Sequence, residues 1–199
     1  MKKKTIVLIM SLALVACLSI GATLAWLTSQ TGVLTNTFTV GKIGLTLDEA
    51  QVSNNSVPDT SRRTTTGNSY AIYDSAVLPK DPTVTISADS ENCYVFMSCT
   101  TSEKMAAVTT LNIDEDSWKA VEGHDGLYVY SENNEPKIIS KSDADKKLPA
   151  LFTTVTVADE CNIEEITRDD DIIVKALAYQ STDASTYSAA VTEAAAQLL

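Results

Sequence analysis

Histidine is nearly absent from this sequence, which restricts the chemistry open to it. The 199 residues include a single histidine, His124, and no HExxH motif. A zinc protease commonly takes two histidines from one helix and needs further ligands around an open position. Cys–His catalysis would need a thiolate near His124, but apolar sequence surrounds Cys93 and Cys99. The sequence therefore favours a non-enzymatic protein and predicts no metal and no cofactor.

Basic residues are also few, with 15 Lys and Arg against 26 Asp and Glu. The net charge of −11 repels nucleic acid and anionic membrane surfaces. The acidic runs at 114–116 and 169–171 lack the spacing of an EF-hand loop, so we expect solvated turns there. Glycine and proline, with seven and five residues, are too rare for a collagen-like or low-complexity chain.

What the sequence does contain is a long uncharged segment at its start. Three lysines at 2–4 precede an apolar run over 5–27, and small residues cluster around Ala25. A basic start, an apolar run and a small-residue exit are typical of a secretory signal peptide. We predict a signal peptide over 1–25, cleaved between Ala25 and Trp26, and hence an extracellular protein.

Two alternatives remain open for this segment. The run is long enough to span a bilayer, so it could stay as a membrane anchor. Leu14–Cys17 also resembles a bacterial lipobox, in which Cys17 would become the acylated first residue. With cleavage after Ala25, membrane contact is expected only through the signal segment, before the cut.

The cysteines of the mature chain are Cys93, Cys99 and Cys161. The first two are six residues apart on one predicted strand, about 20 Å at roughly 3.3 Å per residue. That separation is too long for a disulfide. Cys161 could pair with either of them, but the pattern favours buried free thiols.

The remaining sequence predicts one mainly β domain over 38–199. Apolar and polar residues alternate at 43–47, 83–88 and 151–157, and two short strands form a hairpin within 118–130. Residues 48–68 are predicted as an exposed loop or a hairpin crossing, 70–73 as a short strand and 77–82 as a break. Residues 93–100 and 172–179 are predicted as two central strands, and about 183–198 as a terminal helix. The fold predicted is an antiparallel β-sandwich with a C-terminal helix.

Three parts of the sequence together resemble the TasA/camelysin family of secreted proteins of Gram-positive bacteria. They are Trp26-Leu27-Thr28 with 35–43, then 79–85 with 93–96, and finally 175–180 with the Ala-rich end. The resemblance implies a jelly-roll-like sandwich and a fibre-forming subunit of the biofilm matrix, located in the matrix or at the cell surface. Its expected partners are further copies of the chain and other matrix proteins.

In such fibres the N-terminal strand of one subunit fills a gap in a sheet of the next. The segment 26–37 would be the donor. The apolar residues expected to take part in assembly lie at the mature N-terminus and are Trp26, Leu27, Val33, Leu34, Phe38 and Val40. An exposed sheet edge has unpaired backbone groups that a supplied strand satisfies. The alternative is a first strand that pairs within its own domain.

Two other functions stay open. Some camelysin-type proteins are described as metalloproteases, so the resemblance also admits a secreted metalloprotease, against which the single histidine argues. A cell-surface adhesion or binding module is the third possibility, with its contacts in the acidic loops.

N-terminal sequencing of the exported protein separates the three fates of the leader. We expect Trp26 as the first residue, because small residues cluster at the end of the apolar run. An acylated Cys17 would show lipidation, and a chain that still carries residues 1–25 would show an anchor. Either result would contradict cleavage after Ala25.

Overall fold

The structure, a computed structural model, describes residues 42–52, 58–160, 166–167 and 170–199. Its strands, in chain order, are β1 (Leu45–Gln51), β2 (Asp59–Thr64), β3 (Val77–Pro79), β4 (Thr83–Ile86), β5 (Cys93–Thr101), β6 (Thr109–Ile113), β7 (Trp118–Ala120), β8 (Leu127–Glu132), β9 (Glu135–Pro136), β10 (Lys146–Lys147), β11 (Phe152–Val157) and β12 (Ile172–Gln180). Its helices are α1 (Glu103–Val108), a 3₁₀ turn (Ala184–Thr186) and α2 (Tyr187–Leu198). The predicted mainly β composition and C-terminal helix are therefore confirmed.

In the described part of the chain the strands form three antiparallel sheets. Their orders are β10-β4-β1-β2, β3-β11-β6 and β12-β5-β8-β7, and β9 pairs with β8. The predicted hairpin is confirmed, since Trp118 lies opposite Tyr130. The larger hydrophobic cluster contains buried side chains from strands of all three sheets, so the sheets share one core.

β5 is the strand around which both hydrophobic clusters form. All residues from Cys93 to Cys99 are buried. Because neighbouring side chains of a strand point to opposite faces, the odd-numbered ones enter the larger cluster. Tyr94 and Phe96 enter a second cluster beneath α2. The prediction of a central strand is confirmed here, since β5 lies between β12 and β8.

α2 covers the outer face of this sheet. The Asp183 carboxylate accepts a hydrogen bond from the Ser185 N–H at 2.8 Å, and an alanine-rich sequence follows. The buried helix positions are Ala190, Ala194 and Leu198, which belong to the second cluster. Small alanine side chains let the helix lie close to the sheet, so the helix and β5 bury each other.

A charged contact orders the segment after β1. Arg63 donates from Nε to Asp48 at 2.6 Å and from Nη1 to Asp81 at 2.8 Å. Of the two alternatives predicted for 48–68, the hairpin crossing is confirmed, because β2 pairs antiparallel with β1. A loop over the whole range is wrong, since β1 extends to Gln51. The β2 side chains are polar and mostly exposed, so hydrophobic periodicity gave no sign of the strand.

Three further predictions are corrected. No strand forms at 70–73, where Tyr70 instead donates its hydroxyl to the Pro79 carbonyl at 2.7 Å. The predicted break at 77–82 contains β3, with Pro79 as its last residue, a place where a missing N–H is tolerated. β12, predicted to be central, is the outermost strand of its sheet within the described ranges. Its two faces are apolar because one meets the core and the other meets α2.

Truncation of Phe96 tests the packing of the helix on the sheet. Phe96 is fully buried and stacks on Tyr187 with ring centroids 6.4 Å apart. Phe96→Ala should lower the free energy of unfolding by about 3–5 kcal/mol, measured by urea denaturation. Tyr73→Ala, at a side chain 54% exposed, is the control and should change it by less than about 0.5 kcal/mol. Equal effects would contradict the described packing.

Candidate assembly surface

The predicted assembly residues lie outside the described part of the chain. This holds for the cleavage pair Ala25 and Trp26 and for the remaining members of the set, Leu27, Val33, Leu34, Phe38 and Val40. The described residues can still reveal a surface that would receive a strand. Such a surface needs an unpaired edge with apolar side chains beside it.

β12 presents an edge of this kind. It pairs with β5 through nine opposed residues, from Ile172 opposite Thr101 to Gln180 opposite Cys93. On its other side no strand is hydrogen-bonded to it among the described residues, although part of β1 lies close by. Nine residues at roughly 3.3 Å each make this edge about 30 Å long.

The hydrogen bonds show which backbone groups of β12 face outward. Ser181 N donates to Asn92 O, and Ser102 N donates to Asp171 O, which fixes the alternation of the ladder. Odd-numbered β12 residues therefore bond to β5. The backbone N–H and C=O groups of the even-numbered residues point to the open side. These residues are Ile172, Val174, Ala176, Ala178 and Gln180.

The side chains of those residues face the larger core but are incompletely covered. Ile172, Val174, Ala176 and Ala178 pack against the larger cluster while remaining half-buried. On the opposite face, Leu177 and Tyr179 pack against the second cluster. The edge thus combines unpaired backbone groups with apolar side chains that still have surface to bury.

A cavity of about 810 Å³ adjoins the start of this edge. Ile172 belongs to both, and Leu78, Val155 and Met105 supply further apolar lining. Tyr70, Asn68 and Lys80 add polar groups at its wall. The space between β12 and β3 is therefore lined by both apolar and polar side chains.

The other sheet edges in the described ranges are less suited to receive a strand. β2 is six residues of mainly exposed polar sequence, and β10 consists of two exposed lysines. β7 and β3 are three residues long, and β3 ends in proline. β6, the other edge of the β3-β11-β6 sheet, is five residues long and has the exposed polar residues Thr110 and Asn112. Charges, short length and proline all oppose edge pairing, and β12 combines the greatest length with apolar faces.

The described thiols are placed for packing rather than for nucleophilic chemistry. Cys93 and Cys99 are both buried and free. Burial raises the pKa of each thiol from 9.0 to about 11, which disfavours the thiolate. Cys161, the other possible partner in a disulfide, lies outside the described residues.

His124 lies in a turn, as the sequence predicted. Its N–H donates to the Val121 carbonyl, and its own carbonyl accepts from the Leu127 N–H. In the portion that the structure describes, no three His, Cys, Asp or Glu side chains are grouped to hold a metal ion. These backbone hydrogen bonds make His124 part of the turn that joins β7 to β8.

No family model matches the chain, and neither a curated protein nor a solved structure is similar to it at a significant level. None of the described helices is both long and apolar enough to cross a membrane.

Thiol labelling tests the inert character of the buried cysteines. At pH 8, a pKa raised by two units lowers the thiolate fraction about 100-fold, and burial slows access further. The mature protein with Cys161→Ser should therefore react with a thiol reagent at least about 100-fold more slowly when native than in urea. Rapid labelling of the native protein would contradict this and would favour a reactive thiol.

Proposed function

We propose that this protein is a secreted structural subunit that assembles into fibres of an extracellular biofilm matrix by strand exchange. Residues 26–40 of one copy would pair with the open edge of β12 in the next. Within this proposal the described sheets form the jelly-roll-like sandwich of a TasA/camelysin-type subunit. The observation that carries it is the long, apolar and unpaired edge of β12.

The proposed donor has a pattern that complements this edge. Leu34, Phe38 and Val40 are at even positions, whereas positions 35, 37 and 39 are all threonine. In an extended strand, the apolar side chains would share one face and the threonines the other. The apolar face matches the half-buried β12 side chains, and the threonines match a solvated or polar surface.

The length of the donor is also sufficient. Residues 26–40 extend to about 50 Å at roughly 3.3 Å per residue, whereas β12 spans about 30 Å. The excess length allows the chain to cross from one copy to another. The same segment could instead pair with its own β12, and the state of assembly distinguishes these two arrangements.

A proline at the open edge tests the proposal. The Ala176 N–H points away from β5, so Ala176→Pro removes a donor that a partner strand needs while sparing the native ladder. We expect the mature variant to remain folded and to lose fibres in electron microscopy at rising protein concentration. Removal of residues 26–36 should have the same effect.

Ala120→Pro is the matched control at the opposite end of the same sheet. Val121 N donates to Leu127 O, so the alternation places the Ala120 N–H on the outer side of β7. This variant should form fibres like the unmodified protein. Fibres that survive Ala176→Pro, or an unmodified mature protein that stays monomeric at every concentration, would contradict strand exchange at β12.

A further inference from the structure

Two side chains from separate stretches meet at the buried carboxylate of Glu49. Glu49 lies on β1 and is 4% exposed. Its Oε2 accepts a hydrogen bond from Lys80 Nζ at 2.6 Å. Its Oε1 accepts one from Asn68 Nδ2 at 2.8 Å. One carboxylate therefore contacts an ammonium group through one oxygen and a primary amide through the other.

The amide of Asn68 is fixed in one orientation. Nδ2 also donates to the Ala50 carbonyl at 2.9 Å, and Oδ1 accepts from the Val52 N–H at 2.8 Å. Gly67, with a φ of 79°, supplies the left-handed backbone that turns Asn68 toward β1. The Val52 N–H is aimed at the oxygen on which negative charge would develop during attack on the amide carbon.

Glu49 and Lys80 are largely shielded from water. The side chains of Lys80 and Glu49 are 13% and 6% exposed. Burial, and then the charge of Glu49, raise the pKa of the neighbouring Tyr70, which keeps that phenol protonated. Separating two charges from water is costly, so a reaction that consumes the ammonium is favoured by this environment.

We propose that Lys80 and Asn68 become joined by an intramolecular amide bond, with Glu49 as the acid–base catalyst of its formation. The three residue types have the three roles that this chemistry needs: an amine nucleophile, a carboxamide with an ammonia leaving group, and a carboxylate that contacts both. Asn68 and Lys80 line the cavity that adjoins the start of the β12 edge, but formation of the bond does not depend on strand exchange.

The reaction balances without an oxidant or a co-reactant. Lys80 first transfers a proton to Glu49, and the neutral Nζ attacks Cγ of Asn68 to form the new C–N bond. Glu49 then protonates Nδ2, the Cγ–Nδ2 bond breaks, and ammonia leaves. Of the three protons on the Lys80 ammonium, one stays on the new amide, one completes the ammonia, and one is released as well.

The adjoining cavity offers a path for the leaving ammonia, since Asn68, Tyr70 and Lys80 all line it. The product would tie the segment after β2 to the end of β3. A covalent closure of this kind restricts the unfolded chain, as a disulfide does, in a protein whose described cysteines are free.

Trypsin digestion of the denatured mature protein provides the test. The sequence has no Lys or Arg between Arg63 and Lys80, or between Lys80 and Lys104. A joined Lys80 resists cleavage, so we expect one peptide, 64–104, lighter than its sequence mass by about 17 Da for one ammonia. Separate peptides 64–80 and 81–104 at full mass would overturn the proposal.

A simple loss of ammonia by Asn68 itself gives a different pattern. A cyclic imide at that residue would lighten peptide 64–80 by about 17 Da but leave cleavage at Lys80 normal, and this result would also overturn the proposal. Fragmentation of 64–104 should place the link between Asn68 and Lys80.

Variants assign the roles. Lys80→Arg keeps the charge beside Glu49 and should abolish the linked peptide, and Glu49→Gln should abolish it by removing the proton-transfer group. Asn68→Ala provides a second test if Glu49→Gln does not fold, as judged by circular dichroism. Lys147→Arg, at an exposed residue of β10, is the control and should retain the linked peptide. A linked peptide in Lys80→Arg or Asn68→Ala would refute the assignment.

Discussion

The burial of β5 on both faces is the constraint on which the rest of this structure depends. Seven consecutive residues, Cys93 to Cys99, are removed from water, so each face of the strand needs its own cover. One face draws in side chains from all three sheets, and the other draws in α2. Ser98, which is also buried, donates to the Leu198 carbonyl at 3.3 Å and thereby connects the strand to the end of the helix.

The sequence predicts those elements whose position is determined by their own hydrophobic pattern. It does not predict those whose position is determined by contacts with neighbouring strands. β5, the β7–β8 hairpin and α2 are predictable from the sequence. β5 is a run of apolar residues, the hairpin has a turn between two short strands, and α2 is an alanine-rich segment after a capping residue. α1 and β6 are not among the elements that the hydrophobic pattern predicts, although Ser102 caps α1 by accepting a hydrogen bond from the Met105 N–H. The apolar faces of β12 indicate burial on two sides, but they do not reveal how many strands flank it.

The meeting of Asn68, Lys80 and Glu49 could not be read from the sequence either. Asn68 follows β2, Lys80 follows β3 and Glu49 lies on β1, and no periodicity relates the three positions. The pairing of β1 with β2 and the turn at Gly67 bring the three residues together. Ion pairs from Arg63 to Asp48 and Asp81 stabilise the pairing of the two strands. A polar amide and a lysine in irregular sequence are typical of exposed loops, so burial of this group is a product of the tertiary fold.

The nine-residue ladder between β12 and β5 has a mechanical consequence. Its hydrogen bonds lie across the strand direction, so tension along β12 loads them together in shear instead of opening them one after another. Lys175 adds a lateral tie, because its Nζ donates to the Leu198 carbonyl at 3.0 Å. Force applied at the outer edge is thus transmitted to the most deeply buried strand and to the helix behind it, and the hydrophobic core resists extraction of the edge.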